Sequence, residues 1–466
     1  MARGALPLIG HLGRILRDPM EFFTAARDVG PVVGVRLGPR TAYLVTAPEL
    51  VRDMLVGRYR EFDKGGSYFD AVQSLTGNGL ANCPARDHVR QRPLMQPAFH
   101  PSVLPRYTEV MSACVEEVTG RWRAGGTLAL DEEMRRISSL VATRTLVTSE
   151  EGAQAAAEVA RALPLLLPAL HRRVLIPVSW VHRLPTPGNR RFERLRTGLR
   201  ESVDQVIAQY RRSGVDQVDQ EGDLLSLIMA ARSEEDGSGL SDAEVHDQIM
   251  SVLLAGIETT ASLLSWTFHL LSRHPDVRKK LVVEVREVLG GRTANYRDLA
   301  ELPYCRRVLT ESMRLYPPGA LLSRVTTADV ELAGRAIPAG SDVFFCSYSL
   351  HRDPEVFAEP EVFDPDRWLP ERVTSAQRKG LLPFGAGRRK CIGDAFGLVE
   401  ATIAVATITD RWQLRPADTR PVRPVLRTVL APSSLRMTVE RRDAAEPRGY
   451  PRPEGRASAP DTRARR

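Results

Sequence analysis

The ten residues from Phe384 to Gly393 read Phe-Gly-Ala-Gly-Arg-Arg-Lys-Cys-Ile-Gly, and this stretch is the most informative part of the sequence about the fold. Its one cysteine, Cys391, lies between a glycine-rich turn with three cations and a helix that we predict from Gly393 to Arg411. Cations and the amides of a helix N-terminus stabilise a thiolate, and glycines let backbone amides approach its sulfur. The stretch therefore suits a cysteine that binds a metal. Taken alone, it fits an inert cysteine in a helix-capping loop at least as well.

A long helix is predicted upstream, from Ser241 to Arg273, and Ser241 with Glu244 forms a capping box at its start. Inside its apolar stripe lies Ala-Gly-Ile-Glu-Thr-Thr, residues 255–260. Gly256 weakens a helix, and the Thr259 hydroxyl can bond back to the carbonyl of residue 255, so we expect a groove there. Glu258 beside Thr259 in a dry groove could deliver protons, although the polar side of a long helix explains the pair equally well.

Two further motifs lie between this helix and Cys391. Glu311 and Arg314 stand at i and i+3 of a helix predicted from Tyr304 to Leu315, and they form an ion pair on one face. Arg367 belongs to the stretch Phe-Asp-Pro-Asp-Arg-Trp that ends at Trp368. Such pairs are mostly surface features, so neither motif is informative by itself.

The hydrophobic periodicity along the chain predicts a mostly α protein with a small β region, in one large domain of residues 1–440. The remaining residues, 441–466, are rich in Arg and Pro and predict a disordered tail. Further helices are predicted at Ser102–Ala124, Asp131–Thr148, Asn189–Ser213 and Asp223–Arg232. Strands are predicted at Val32–Pro39, Ala42–Thr46, Leu322–Val325, Val330–Ile337 and Asp342–Ser347.

The composition of the 466 residues excludes several classes of protein. The net charge is +8, half of it in the tail, and no basic patch with interleaved aromatics points to nucleic acid. Five cysteines without short spacings argue against a disulfide scaffold or a zinc cluster and for a reducing cytosol. The N-terminus is too short in apolar residues for a signal peptide, and the apolar stretch Ile249–Trp266 is interrupted by Glu258. We therefore expect a cytoplasmic protein without a membrane span.

Taken together and in this order, the motifs resemble those of the cytochrome P-450 superfamily, and the resemblance covers about residues 5 to 440. It implies the cytochrome P-450 fold, a helical prism that encloses b-type haem (iron protoporphyrin IX) between the long helix and the cysteine loop. Cys391 would be the metal ligand, as the proximal thiolate, and Phe384 would pack over its loop. Glu311, Arg314 and Arg367 would form the structural triad of the family.

The resemblance also assigns roles to other residues of this chain. Glu258 and Thr259 would be catalytic and relay protons. The propionates of the haem would be bound by His88, Arg92, Arg324 and Arg389. The substrate pocket would include Ala255, Gly256, Ala320, Leu321 and Leu322.

The implied activity is that of a monooxygenase, which inserts one oxygen atom of dioxygen into an unactivated C–H bond of a hydrophobic substrate. Electrons would come from external NAD(P)H through a ferredoxin and a ferredoxin reductase, because no flavin or nicotinamide domain is encoded, and the protein would be a monomer. Two alternatives stay open. A peroxide-driven peroxygenase would typically have Arg-Pro in place of Glu258 and Thr259, and a non-catalytic partner protein of the same fold would be expected to lose Cys391.

The substrate class is suggested by the segment that corresponds to the access region of the fold. Residues 162–181 are short of acids and broken by prolines, which suits an oily substrate. The next residues, 183–192, resemble bacterial terpene-oxidising members, particularly sesquiterpene hydroxylases of antibiotic biosynthesis and other secondary metabolism. A fatty acid, held by His171, Arg172 or Arg173 at the mouth, and a polyketide or macrolactone are the alternatives.

Overall fold

Helices make up most of the structure, a computed structural model that describes residues 1–2, 4–148, 158, 161–162, 165–170, 172–173, 179–212, 222–234 and 236–442. In the first half of the chain the helices are α1 Leu12–Arg17, α2 Pro19–Ala25, α3 Pro48–Arg52, α4 Gly66–Thr76, α5 Ala85–Met95, α6 Leu104–Thr119, α7 Leu130–Leu146, α8 Ser179–Arg183 and α9 Pro187–Arg212. In the second half they are α10 Leu224–Ala230, α11 Asp242–Arg273, α12 Pro275–Leu289, α13 Pro303–Leu315, α14 Ser347–Leu350, α15 Ser375–Gly380 and α16 Asp394–Arg411.

The strands form small sheets at the edges of the helical body. They are β1 Val32–Leu37, β2 Arg40–Val45, β3 Phe62–Asp63, β4 Thr127–Ala129, β5 Leu321–Thr326, β6 Val330–Leu332, β7 Arg335–Ile337, β8 Asp342–Cys346, β9 Trp412–Pro416, β10 Pro424–Leu426, β11 Leu430–Pro432 and β12 Arg436–Arg441. The largest sheet has the order β1-β2-β8-β5-β3, and only its β2–β8 pair is parallel. A three-stranded sheet, β4-β12-β9, and two hairpins complete the β region.

The long helix α11 runs through the core. Ser241 caps it as predicted: its hydroxyl accepts from the Glu244 amide, and the Glu244 carboxylate accepts from the Ser241 amide. Of the described residues, this helix alone is long and apolar enough to cross a membrane, and 72% of its most apolar window is buried inside the protein. The helices α7 and α16 pack against it, and the three share one apolar cluster. The burial of α11 is that of a core helix.

The predicted helices are all present, and the largest shift is at the end of α6, which stops at Thr119 rather than Ala124. The prediction of one strand over Val330–Ile337 was wrong, because Ala333 and Gly334 have φ angles of 49° and 75° and turn the chain into the β6–β7 hairpin. The strand β12 runs through Arg441, one residue past the predicted domain boundary. The predicted tail from residue 443 onward lies outside the described residues.

Candidate active site

A cavity of about 330 Å³ lies between α11 and the loop that precedes α16. On one wall is Cys391, and on the opposite wall are Ala255, Gly256 and Thr259 of α11. The aromatic ring of Phe384 also lines it. Its exposed inner surface is mainly apolar, with a group of cations on one side. The structure therefore brings the cysteine loop and the motif of the long helix to one enclosed space.

Glycine geometry fixes the cysteine loop. Gly385 and Gly387 have φ angles of 69° and 67°, which favour glycine. A side chain at Gly387 would also place its Cβ 2.1 Å from the Leu55 carbonyl oxygen, so the loop packs directly on the backbone of its neighbour. The Cys391 amide donates to the Phe384 carbonyl at 2.9 Å. These contacts hold Cys391 at the start of α16, with its side chain toward the cavity.

The environment of the Cys391 sulfur has opposing effects on the pKa of the thiol. Burial raises the pKa of the thiol, while a hydrogen bond from the Gly393 amide and the charges of Arg92 and Lys64 favour the thiolate. The other four cysteines are buried, whereas the Cys391 side chain alone is exposed, and the space to which it is exposed is the cavity. A cation bound to the sulfur would supply the charge compensation that burial demands, which is the condition of a thiolate metal ligand.

The four residues predicted to bind the propionates of the haem, three arginines and His88, lie together at one side of the cavity. They lie where α5, β5 and the cysteine loop meet. His88, Arg92 and Arg389 line the cavity. Arg324 of β5 is buried, and its charge acts together with that of Arg389 on a neighbouring lysine. That lysine, Lys64, was not predicted, although it is one of only five lysines in the chain. A lysine is unusual in a chain with 60 arginines, and this was the signal in the sequence that could have drawn attention to Lys64.

This cation cluster, defined as Lys64, Arg92, Arg324 and Arg389 together with the uncharged His88, is short of anions. Among the described residues, Asp63 is the only carboxylate ion-paired with it, at 2.9 Å from Arg389. Within the described part of the chain, Arg324 donates only to the neighbouring Ser323 carbonyl, and the Lys64 ammonium donates to the Ala81 carbonyl.

The pKa values of these side chains also indicate that the cluster lacks negative charge. Burial, with the charges of Arg324 and Arg389, lowers the pKa of Lys64 to about 7. Burial lowers the pKa of Arg324 to about 10 and that of His88 to about 3. Buried cations without partners are costly. The cluster thus fits a ligand that brings two carboxylates, as haem does, and the thiol of Cys391 fits its iron.

Thr259 and Glu258, predicted as a pair, point in different directions. Thr259 lines the cavity, and its hydroxyl donates to the Ala255 carbonyl at 2.6 Å, as the sequence suggested. Glu258 instead accepts from Arg135 of α7 at 3.1 Å. The helix stays continuous through this stretch. The groove arises because Gly256 has no side chain: a Cβ there would meet its nearest neighbour only at 4.0 Å.

Glu311, Arg314 and Arg367 form one buried cluster, as expected. The Glu311 carboxylate accepts from Arg314 at 2.7 and 2.9 Å and from Arg367 at 3.4 Å. Arg314 also donates to three backbone carbonyls, those of His351, Pro360 and Val362. The triad therefore ties α13 to the coil that leads toward the cysteine loop, and it does not line the cavity.

The predicted pocket residues Ala320, Leu321 and Leu322, which follow α13, are not among those that line the cavity in the structure. Ala320 and Leu321 pack in the apolar cluster that contains Phe22, and Leu322 packs with the cluster under β8. The cavity wall at this corner is formed by Pro318 and Gly319 instead. The shift arises because β5 begins at Leu321 and turns these side chains into the sheet's own packing.

Of the twenty residues of the predicted access region, 162–181, eight lie outside the described residues, and His171 is one of them. Of the two arginines proposed for a fatty acid, Arg173 is engaged within the protein. It donates to Glu193 at 3.4 Å, and its guanidinium lies 3.8 Å from the centre of the Phe192 ring. Arg172 is exposed.

Comparison with known proteins gives a consistent result. Residues 2–439 match the family model of cytochrome P450. The chain is 43% identical to cyclooctatin synthase of Streptomyces melanosporofaciens, covering 95% of each protein, and 44% identical to cyclooctat-9-en-7-ol 5-monooxygenase of the same species, covering 89% of each. It is 40% identical to pentalenene oxygenase of Streptomyces avermitilis, covering 95% of this chain and 97% of that protein.

Among solved structures, the haem domain of cytochrome P450DA superposes with a TM-score of 0.84 at 24% identity, covering 95% of this chain and 97% of that one. At this identity the likeness supports the fold. The helical arrangement around the cavity is therefore that of a known architecture.

Proposed function

Because this chain belongs to the cytochrome P450 family, we propose that it hydroxylates a terpene of a secondary-metabolite pathway. It is a haem-dependent cytochrome P450 monooxygenase, which uses dioxygen, a hydrophobic substrate and redox partners. The observation that carries the proposal is the mainly apolar cavity between Cys391 and Thr259. When bound there, the haem supplies the activation of dioxygen and the oxidation of the substrate.

The residues of the chain would divide the work of holding the haem. Cys391 would bind its iron, with the sulfur kept in place by the Gly393 amide and the loop glycines. The cation cluster would bind its two carboxylates, and in the described part of the chain Lys64 and Arg324 each donate to a single backbone carbonyl. Charge-assisted hydrogen bonds of this kind are strong because both partners are ionised.

Thr259 would hold a proton donor at the cavity wall. Its hydroxyl donates to the Ala255 carbonyl, so its oxygen stays free to accept a hydrogen bond from a water or a ligand. Glu258 could resupply that proton only after leaving Arg135, to which it is paired at 3.1 Å. We therefore propose that the Arg135–Glu258 ion pair must open for proton delivery from Glu258.

An uncharged hydrocarbon suits the rest of the cavity wall. Ala255, Gly256 and Leu263 of α11 present apolar surface, and Phe99 closes one side. Burial of apolar area contributes about 25 cal/mol per Å², so a terpene skeleton of about fifteen carbons gains several kcal/mol, enough for micromolar binding. The three bacterial relatives carry names of terpene-oxidising enzymes or of a terpenoid product, which supports the same class.

The redox partners would be a ferredoxin and a ferredoxin reductase that draw electrons from NAD(P)H. We propose that the enzyme works as a monomer in the cytoplasm. The exposed residues Arg388 and Lys390 beside the cysteine loop would favour an acidic partner, because opposite charges steer association.

A fatty acid is the second candidate, and Arg172 is the observation in its favour, since this cation is exposed close to α9. Titration of the holoenzyme with a cyclic sesquiterpene hydrocarbon and with a fatty acid of similar length separates the two. We expect the substrate-induced shift of the haem absorption with the terpene. A shift with the fatty acid alone, abolished by Arg172→Ala, would overturn the terpene assignment and leave the monooxygenase assignment intact.

A further inference from the structure

The roof loop, residues 77–83, lies between α4 and α5 and contributes to the wall of the cavity. Leu80 and Ala81 of this loop line the cavity. Their positions determine how much space lies over the substrate at this wall. What holds the roof loop in place therefore bears on which part of a substrate reaches the reacting centre.

The side chain of Gln248 on α11 is hydrogen-bonded to the roof loop. Its Oε1 accepts from the Leu80 amide at 2.9 Å, and its Nε2 donates to Gln91 Oε1 at 2.9 Å. Gln91 in turn donates to the Asn78 carbonyl at 3.0 Å. Both glutamine side chains are buried. The two amides thus form a bridge that runs from α11 to Leu80 and Asn78 of the roof loop.

The neighbouring residue on α11, Asp247, holds the start of the roof loop. Its carboxylate accepts from the Asn78 amide at 2.6 Å. The backbone at Gly77 approaches so closely that a Cβ there would lie 1.9 Å from Asp247 Oδ1. The same carboxylate also lies 3.7 Å from Arg200 of α9 and 3.4 Å from the His246 ring. Asp247 does not line the cavity, so its influence on a substrate is indirect, and among its contacts the roof loop is the segment that borders the cavity.

We propose that Asp247 and Gln248 are positioning residues that fix Leu80 and Ala81 over the substrate and so determine which carbon is oxidised. Gln248 borders the cavity, but the oxygen and the nitrogen of its amide are both bonded to protein partners, and Asp247 acts from outside the cavity. The role rests on the proposed function insofar as the cavity takes an apolar substrate. Side-chain hydrogen bonds to buried backbone amides fix loop position because an unpaired amide is costly.

The sharpest test compares Asp247→Ala with Asp247→Asn in the holoenzyme. The asparagine keeps an oxygen that accepts from the Asn78 amide, and the alanine removes it. We expect the alanine variant to change the ratio of hydroxylation products, and the asparagine variant to keep the wild-type ratio. In azole titrations, the alanine variant should change the affinity for 4-phenylimidazole by up to about tenfold, which is the full free energy of one buried hydrogen bond, and should bind unsubstituted imidazole like wild type.

Gln248→Leu tests the other anchor, with Thr407→Val as the matched control. The Thr407 hydroxyl accepts from the Ala294 amide at 3.1 Å, so its loss also frees a loop amide, but away from the cavity. Hydrogen exchange at the Leu80 amide should become about tenfold faster or more in Gln248→Leu and stay unchanged in Thr407→Val. The product ratio and the binding of 4-phenylimidazole should follow the same division.

The outcomes separate this inference from the proposed function. If no terpene is a substrate of the wild type, the terpene assignment fails, and the azole and exchange measurements still decide the role of the roof loop. If Asp247→Ala and Gln248→Leu leave azole binding and products as in wild type, the positioning role is wrong. It is equally wrong if Thr407→Val changes them as much, since the effect would then follow general stability.

Discussion

Cys391 differs from the other four cysteines in the direction of its side chain. Cys83, Cys114, Cys305 and Cys346 are enclosed by protein, and burial raises the pKa of each thiol. Cys391 faces the cavity and receives a hydrogen bond from the Gly393 amide. The sequence indicated this cysteine through its glycines and cations, whose conformational and electrostatic effects are local.

Cys391→Ser should abolish the red-shifted Soret band that a thiolate-bound haem shows when reduced and bound to carbon monoxide. A serine hydroxyl is a poor substitute for a thiolate as the axial ligand. Absorption spectra of the reduced carbon monoxide complex provide the measurement. Serine variants of the other four cysteines are the controls and should keep the band. An unchanged band in Cys391→Ser would refute the assignment.

Thr259→Ala should continue to consume NAD(P)H but divert the electrons to peroxide, because the proton donor at the cavity wall is removed. A positioned proton donor typically contributes roughly a hundredfold or more to the step it serves. The measurement is product formed per NAD(P)H consumed, with peroxide assayed in parallel. Thr259→Ser retains a hydroxyl and should remain coupled. Full coupling in the alanine variant would mean that Thr259 only shapes the cavity.

Residues that act through three-dimensional proximity were harder to predict. Lys64 joins the cation cluster because β3 pairs with β5, which brings it beside Arg324. Arg135 pairs with Glu258 because α7 packs along α11. Nothing in the sequence around Lys64 or Arg135 encodes these pairings, since each depends on a distant segment.

At the scale of elements, α11 shows what local rules can and cannot predict. Its start follows from the capping box of Ser241 and Glu244, which lie three residues apart and need no tertiary information. The helix α12 was missed, although Pro275 at its first position and Gly290 after its end are ordinary signals. The β10–β11 hairpin was also missed, because its strands are short and pair only through a turn.

Gly256→Ala should stabilise α11 and narrow the cavity. Alanine in a helix interior is favoured over glycine by about 0.5–1 kcal/mol, and the space beside Gly256 accepts a methyl group. We expect the free energy of unfolding to rise by that amount in denaturant titrations. The affinity for a bulky substrate should fall at the same time. A loss of stability would show that α11 packs more tightly here than the structure indicates.

At the scale of the whole molecule, a buried acid lies among the helices around the cavity. Glu400 of α16 is 2% exposed, and within the described part of the chain one of its carboxyl oxygens has no hydrogen-bond partner. Burial raises its pKa to about 8, opposed by the Ser138 hydroxyl of α7. The proposed mechanism does not use it, so its effect should appear in the stability of the protein.

The contribution of Glu400 to the stability of the protein should fall as the pH rises from about 5 to about 8, and comparison with Glu400→Gln isolates it from the other titrating groups. Its pKa is about 8 in the folded state and about 4.3 in an unfolded chain, so the folded state binds more protons over this range. Glu400→Gln removes this dependence, and its advantage over wild type should grow toward pH 8, to on the order of a few kcal/mol. Denaturant titrations at both pH values measure it. An advantage that is equal at pH 5 and pH 8 would contradict the prediction.

The contact between Gly387 and the Leu55 carbonyl has a consequence for the directed evolution of this enzyme. A mutant library that randomises position 387 would consist mostly of inactive clones, because every other residue meets the backbone at 2.1 Å and prefers a different φ angle. Diversity is better placed on the opposite wall, at Leu80, Ala81 and Ala255, where side chains border open space. New substrate ranges should therefore be selected from that wall while the cysteine loop is kept constant.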